Sequence, residues 1–303
     1  DIRSDFPSET SDTIKTIAEV LFLSLLLTAL PFFALVIVFI LPAPVALLIY
    51  RRGPRPALIA VVLSAVLNGL LLGPRLGLLT IVLFGFSGFI TGGCIREDVS
   101  PFKTLLSAVG AVFLSCLVIV LAAYFVLGYD INSLVSVLEN REIIEQFVET
   151  FPNIFGSQEE LLAVYREILT TVIPSLLLAS AAFTGIINYY FASWYINYRE
   201  GDIEIYKPMR FWSFPRVLVI GGILLSFIFA GNVFFNNVNI LMSFLLFLQG
   251  IGTGLFFLHR QDGLLVKWLS ITLVIFLPYL LILLGLVDLV FDLRKLSQRR
   301  RNG

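Results

Sequence analysis

The sequence has few of the residues from which enzyme active sites and metal centres are built. Among its 303 residues there is one histidine, His259, and two cysteines, Cys94 and Cys116. A single histidine cannot form a zinc site alone, and two cysteines in or beside apolar segments give no disulfide framework. No G-x-x-x-x-G-K-[ST] motif occurs, which excludes ATP hydrolysis by that route. We therefore expect a protein that is not an enzyme and that uses no cofactor and no metal.

Charge is scarce as well. Only 14% of the residues are charged, and the formal net charge is zero, so the chain offers no surface suited to nucleic acid. Hydrophobic residues make up 58% of the chain, and its mean hydropathy is +0.94. Repeated apolar runs have about the 20 residues that an α-helix needs to cross ~30 Å of hydrocarbon. The composition predicts an all-α, polytopic helical membrane bundle in contact with the lipid bilayer.

The apolar runs predict about eight transmembrane helices, within a range of seven to nine. The first run contains Pro31, Pro42 and Pro44. It predicts a helix kinked at Pro31 followed by a half-helix that ends at Arg51 and Arg52, although two short passes would also fit. The other predicted spans cover residues 56–72, 76–95 and 102–127, a segment ending near Trp194, and residues 217–229, 238–258 and 268–291.

The polar segments suggest a simple domain organisation. Residues 1–15 predict a polar N-terminal tail, and residues 297–303 a basic C-terminal tail. Residues 16–296 form a single transmembrane helical domain with an amphipathic, acidic insertion at about 128–165. The sequence Ser157-Gln-Glu-Glu160 has the form of a capping box and predicts the start of the next helix there.

The distribution of Lys and Arg predicts the orientation of the bundle. With the acidic insertion outside, the inner loops hold eleven basic residues and the outer loops three. The same alternation of spans, however, places the basic C-terminal tail outside. This conflict points to a miscounted or re-entrant segment after Arg216, and the side of the membrane that the C-terminus faces stays open.

Small residues at four-residue spacing predict close helix packing in lipid. Gly88 and Gly92 form one such pair, and Ala181 and Gly185 form another. The glycine-rich stretch that begins at Gly250 lies within an apolar span and does not follow a strand. We interpret it as a packing surface rather than as a dinucleotide-binding loop.

Asn188 and Gln249 are the polar residues in the spans that are most costly to bury, because each amide has four hydrogen-bonding positions to satisfy. Two interpretations stay open for them: a hydrogen bond between helices, which we favour, or contact with a bound solute in a cavity. Several asparagines lie around the turn between the sixth and seventh spans; they could line an entrance or form the turn, and we favour the interpretation as turn formers. These are Asn232, Asn236, Asn237 and Asn239.

Asp288 and Asp292 stand four residues apart at the end of the last apolar run. Twenty residues of helix, about 30 Å, separate Trp268 from Asp288, which places Asp288 near the membrane interface. At that depth the cost of a charge is mostly relieved. We expect Asp292 to pair with Lys295 and this helix end to be anchored among the lipid headgroups.

Three stretches carry a resemblance to a known family. They are LPAPVALLIYRRGPRPALIAVVLSAVL, FWSFPR at 211–216, and LGLVDLVFDLRK at 284–295. Their order and spacing resemble the YybS-like family of bacterial multi-pass membrane proteins, a domain of unknown function. The likeness covers about residues 17–296, and its signature positions are Trp212, Pro215, Asp288, Asp292 and Arg294.

The resemblance implies a function indirectly, through a second family. The YybS-like family is similar at fold level to the substrate-binding S components of energy-coupling-factor transporters. It therefore implies a subunit in the bacterial inner membrane that captures a small solute and works with a transmembrane coupling protein and separate ATPase subunits. No binding residue is carried over from that family. The alternative is a non-transporting scaffold for cell-envelope assembly or division.

Overall fold

The computed structural model describes residues 11, 13–22, 40–128, 158–201, 203–259 and 278–294. Every regular element in these ranges is helical, which confirms the all-α prediction. Five of the described helices are long and apolar enough to cross a membrane, and two apolar helices are shorter. The predicted number of eight spans is thus not confirmed by the described part of the chain.

The chain forms two compact units. Unit 1 comprises residues 1–130 and 180–206, and unit 2 comprises residues 131–179 and 207–303. The helices of unit 1 are α1 (Pro42–Arg52), α2 (Pro54–Leu72), α3 (Pro74–Arg96), α4 (Pro101–Leu127) and the second part of α5 (Gln158–Glu200). Within α3, Thr80–Gly85 is a π-helical segment. Residues 13–22 of this unit are also helical.

Gly-Pro pairs divide the first helices of unit 1. Gly53 ends α1 with a φ of 84°, and Gly73 ends α2 with a φ of 102°. Glycine adopts such positive φ values without a steric penalty. The proline that follows each glycine starts the next helix, where its missing N–H costs nothing. These joints confirm the predicted half-helix that ends at Arg52 and the predicted boundary at Gly73.

Small residues let the helices of unit 1 approach closely, as predicted. A Cβ atom added to Gly88 would lie 2.8 Å from the carbonyl oxygen of Pro42, and one added to Gly92 would lie 2.6 Å from that of Ala46. One added to Gly185 would lie 2.5 Å from the Cα atom of Val109. These glycines therefore set the distance from α3 to α1 and from α5 to α4.

Most of the described basic residues of unit 1 lie at one end, and Arg75 at the start of α3 is an exception. Arg96 donates a 2.9 Å hydrogen bond to the carbonyl oxygen of Ile49. Arg51 at the end of α1 pairs with Glu200 at the end of α5. Unit 1 has six cations at this end, consistent with the predicted inner side of the membrane. They are Arg51, Arg52, Arg55, Arg96, Lys103 and Arg199.

Helix α5 continues beyond its predicted end. We predicted a span ending near Trp194, but the helix extends to Glu200. The helix ends at Gly201, which has a φ of 75° and donates a 2.9 Å hydrogen bond from its N–H to the carbonyl oxygen of Asn197. The polar residues before that glycine do not interrupt the backbone ladder. The fifth span was therefore predicted too short.

The described residues of unit 2 form the first part of α5 and three further α-helices. Those helices are α6 (Arg216–Ile228), α7 (Val233–Leu258) and α8 (Pro278–Phe291). A single 3-10 turn, Met209–Phe211, precedes α6. At 13 residues, α6 extends only about 20 Å, less than the hydrocarbon thickness.

The interpretation of the asparagines before α7 as turn formers is wrong for three of the four. Asn232 is the N-cap, and its side chain accepts a 2.9 Å hydrogen bond from the N–H of Phe234. This cap starts α7 at residue 233, five residues before the predicted boundary, so residues 236, 237 and 239 lie within the helix. Asn237 there donates a 2.7 Å hydrogen bond to the carbonyl oxygen of Thr171, which ties α7 to α5.

Two glycines bring α7 and α8 into backbone contact. A Cβ atom on Gly250 would overlap the carbonyl oxygen of Leu281, and one on Gly285 would overlap that of Leu246. The prediction that Gly250 serves close packing is therefore confirmed. This contact brings the polar residues of α7 and α8 within reach of one another.

Several predictions lie outside the described residues. They are the kink at Pro31, residues 129–157 of the amphipathic insertion, residues 268–277 of the last span, the contact of Asp292 with Lys295, and residues 1–10 and 295–303 of the tails. The first residue of the predicted capping box, Ser157, belongs to the second of these ranges.

We predict that Gly250→Ala destabilises the protein whereas Gly254→Ala does not. An added methyl group at Gly250 would force α7 and α8 apart, at a cost of about 1–3 kcal/mol. Gly254 stands on the same helix with nothing within 4 Å of an added Cβ atom. Thermal unfolding of the purified variants in a mild detergent measures the difference. Equal melting temperatures for the two variants would contradict the packing described here.

Candidate functional site

Unit 2 contains a buried polar cluster formed by α7, α8 and the residues that follow α8. Asp288 on α8 is 3% exposed, and Gln249 on α7 is also 3% exposed. Gln249 donates a 2.6 Å hydrogen bond from Nε2 to Oδ2 of Asp288. Its Oε1 accepts a 3.3 Å hydrogen bond from the N–H of Phe214. Both ends of the Gln249 amide are therefore bonded within the protein.

Arg294 supplies the positive charge of this cluster. Its Nη2 lies 2.7 Å from Oδ2 of Asp288, and the two side chains are 0% and 2% exposed. Its Nε donates to the same oxygen over 3.1 Å. Because the pair is buried, the attraction offsets desolvation only when the remaining donors are satisfied as well.

The other donors of Arg294 bind the chain that precedes α6. Nη1 donates a 2.8 Å hydrogen bond to the carbonyl oxygen of Arg210, and Nη2 donates a 2.7 Å hydrogen bond to that of Trp212. The indole Nε1 of Trp212 in turn donates to the carbonyl oxygen of Lys207 over 3.0 Å. One guanidinium thus joins the end of α8 to the segment before α6, and we call Asp288, Arg294 and Gln249 the clamp.

A chain reversal after α8 makes the ion pair possible. Asp292 has a φ of 51°, and its N–H donates a 2.8 Å hydrogen bond to the carbonyl oxygen of Asp288. Aspartate is one of the few residues other than glycine that tolerates this left-handed conformation. The reversal brings the N–H of Arg294 to 3.3 Å from Oδ1 of Asp288. Six residues separate the paired side chains, a spacing that helix rules for i+3 and i+4 pairs do not cover.

The expectation that the headgroup region relieves the charge of Asp288 needs correction. Arg294 would contact a Cβ atom on Gly252 at 3.2 Å, so the ion pair lies beside the twentieth of the 26 residues of α7. Nineteen steps of helix rise about 28 Å from the start of α7. The carboxylate is buried in protein, and Arg294 rather than water neutralises it.

Three of the five signature positions inferred from the resemblance meet in space, and the other two have separate local roles. Trp212, Asp288 and Arg294 meet in the clamp and its contacts, although they come from stretches more than 70 residues apart. Pro215 is the N-cap residue of α6 and accepts a 3.2 Å hydrogen bond from the N–H of Val219. Asp292 provides the chain reversal. The signature therefore coincides with one structural joint in unit 2.

Asn188 lies in unit 1, on the second part of α5, and has a different environment. It is 3% exposed, and its Oδ1 has no hydrogen-bond partner among the described residues. Two hydroxyl oxygens of unit 1, those of Ser64 and Thr91, are also buried without a partner in that part of the chain. Leaving a buried acceptor unsatisfied costs about 1–3 kcal/mol. Asn188 is thus the predicted polar residue whose side-chain acceptor has no hydrogen-bond partner in the described part of the chain.

Gln249 and Asn188, which have similar sequence contexts, therefore differ in their hydrogen bonding. Gln249 forms a hydrogen bond between helices, while Asn188 has an acceptor with no partner in the described structure.

Arg210 was missed as a residue of interest, although its carbonyl oxygen anchors Arg294 and its Nε is buried without a partner among the described residues. The only sequence signal for it is a cation beside the FWSFPR stretch. Among the described residues, no group of three or more His, Cys, Asp or Glu side chains is arranged to hold a metal ion.

We predict that Asp288→Asn destabilises the protein by about 3–5 kcal/mol, because it leaves the buried guanidinium of Arg294 without its counter-charge. The matched control is Asp292→Asn, since asparagine tolerates the same left-handed conformation. Adding Arg294→Gln to Asp288→Asn should cost much less than Arg294→Gln costs alone. Thermal unfolding in detergent of the wild type, the two single variants at Asp288 and Arg294 and their combination gives a double-mutant cycle. Additive losses of stability in that cycle would contradict a coupled pair.

Comparison with known proteins supports the membrane assignment. The model of a family described as "Predicted membrane protein (DUF2232)" matches residues 16–289, which is most of the chain. Neither a curated protein nor a solved structure matches it significantly. The matched region contains α1 to α7 and nearly all of α8, including Asp288 and Gln249. With its apolar helices and this match, the chain is an integral membrane protein and belongs to the DUF2232 family of predicted membrane proteins.

Proposed function

We propose that this protein captures a small, uncharged solute in the membrane and passes it to an uptake system energised by separate ATPase subunits. The observation that carries the proposal is the buried, unpartnered Oδ1 of Asn188. Buried polar groups in proteins are nearly always bonded, so an open acceptor within a span calls for a partner. A solute with a hydroxyl, amide or ring N–H group would supply the missing donor.

The buried polar atoms of unit 1 that have no partner among the described residues favour a neutral solute. The buried oxygens of Ser64 and Thr91, also unpartnered in the described part of unit 1, are hydroxyls. Hydroxyls and a carboxamide can donate and accept hydrogen bonds without carrying charge. A charged solute would need a counter-charge at the same depth to offset its desolvation. We therefore infer recognition by hydrogen bonds and apolar contact.

The clamp excludes Gln249, the other candidate amide, as a ligand for the solute. Gln249 has both ends of its amide occupied within the protein, and backbone contacts at Gly250 and Gly285 fill the space around it. In this proposal Gln249 is a structural residue and not a solute ligand, and the solute is recognised by unit 1. The proposal gives the chain no catalytic step, and it places the protein in the bacterial inner membrane. A transmembrane coupling protein and ATPases would act as its partners.

We predict that Asn188→Leu abolishes solute capture without destabilising the solute-free protein. Leucine has the branched shape of asparagine, with methyl groups in place of the amide oxygen and nitrogen, and it removes an acceptor that no described protein group uses. The matched control is Asn68→Leu, because Asn68 is a buried asparagine of unit 1 that donates a 2.9 Å hydrogen bond to Oγ1 of Thr80. That variant should lose about 1–3 kcal/mol of stability.

The measurement is untargeted metabolite identification on wild type and both variants, purified in a mild detergent. A solute that accompanies wild type and Asn68→Leu but not Asn188→Leu supports the proposal. If Asn188→Leu destabilises the protein as much as Asn68→Leu does, or retains the same solute, the acceptor is not a solute ligand and the proposal fails.

Pull-down from native membranes tests the partner part of the proposal separately. Recovery of coupling-factor ATPases agrees with an uptake subunit. Recovery of envelope-synthesis proteins in their place would favour the scaffold function and overturn the transport assignment.

A further inference from the structure

We propose that residues 207–216 of unit 2, here called the basic segment, bind the phosphate of anionic lipid headgroups. Its cations are Lys207, Arg210 and Arg216, and its aromatic residues are Phe211, Trp212 and Phe214. This inference is independent of solute capture at Asn188, because it concerns different residues in the other unit.

The basic segment has an excess of positive charge. The sequence contains no acidic residue between Glu204 and Asp262. The buried carboxylate of Asp288 is already paired with Arg294, so it does not neutralise Arg210 or Arg216. Clusters of cations close to a membrane helix attract anionic lipid. Charge complementarity therefore points to a negatively charged occupant.

Arg210 is positioned to bind that occupant. Its guanidinium lies over the ring of Phe211, 5.0 Å from the centroid, and its Nε is buried with no partner among the described residues. The clamp holds its backbone through the hydrogen bond from Arg294. A guanidinium is weakly hydrated, and its planar donors match the oxygens of a phosphate. Arg210 is thus held in place with donor capacity to spare.

The depth of the basic segment matches that of the headgroups. The carbonyl oxygen of Met209 would lie 2.6 Å from a Cβ atom on Gly252, six residues before α7 ends at Leu258. Gly252 stands about 28 Å along α7, so a helix that enters the hydrocarbon at its first residue places Met209 close to the opposite hydrocarbon boundary. Trp and other aromatic residues are enriched at this level.

The neighbouring residues favour a lipid over a free anion. Directly after the basic segment, Val217 is 87% exposed and Leu218 is 54% exposed. Apolar side chains with that exposure suit acyl chains and not water. A molecule with a phosphate and acyl chains would satisfy both the cations and this apolar surface.

The test adds short-chain phosphatidylglycerol to the full-length protein in detergent and follows the rise in its melting temperature. Phosphatidylcholine with the same chains and inorganic phosphate are the comparison ligands. We expect phosphatidylglycerol to stabilise the wild type at concentrations at least tenfold lower than either comparison ligand. Arg210→Gln should raise the half-saturating concentration about tenfold, and Arg210→Gln with Arg216→Gln should raise it further. Arg75→Gln, in unit 1, is the matched control and should bind like the wild type.

Three results would overturn the proposal. Equal stabilisation by phosphatidylcholine would show general lipid contact, and equal stabilisation by inorganic phosphate would show a free-anion site. An unchanged half-saturating concentration in both the single and the double variant would show that the basic segment is not the site. Arg210→Lys keeps the charge but loses the planar donors, so it should bind more weakly than the wild type and more strongly than Arg210→Gln, which separates loss of the site from loss of the fold.

Discussion

A single buried ion pair joins the end of α8 to the segment before α6 in unit 2. Asp288 and Arg294 are both almost fully buried. The attraction between them is large in such surroundings, but so is the cost of removing both from water. The arrangement is stable because nearly every remaining donor and acceptor of the two side chains has a partner. Gln249 and the carbonyl oxygens of Arg210 and Trp212 supply those partners.

This constraint explains why the clamp resembles a site in sequence yet is closed in structure. Charged and amide groups within apolar segments usually indicate a ligand or an ion pathway. Here they satisfy one another, and the glycines of α7 and α8 bring the backbones together around them. The clamp therefore determines where the basic segment lies, whereas the open acceptor of Asn188 belongs to unit 1.

Much of the fold follows from local sequence signals. The Gly-Pro joints at Gly53 and Gly73 are visible in the sequence because glycine permits positive φ and proline favours the first helical turn. The packing of Gly88 and Gly92 follows from their spacing. Asn232 was harder to interpret, because asparagine serves as a turn former and as a helix cap alike.

The clamp itself is not predictable from local patterns. Pairing rules for helices cover residues three and four apart, and Arg294 reaches Asp288 only because Asp292 turns the chain back. Its other partners stand more than 70 residues away along the chain, so only the packed structure brings them together. The same holds for the difference between Gln249 and Asn188, two buried amides whose sequence contexts are similar.

The most direct test of the clamp is amide hydrogen exchange across residues 207–216 in the wild type and in Arg294→Gln. Because Arg294 holds the carbonyl groups of Arg210 and Trp212, its loss should accelerate exchange at the amides of Phe211, Trp212 and Phe214. Exchange in α2 and α4 of unit 1 should be unchanged. Equal protection of the basic segment in the two proteins would contradict the central role of the ion pair.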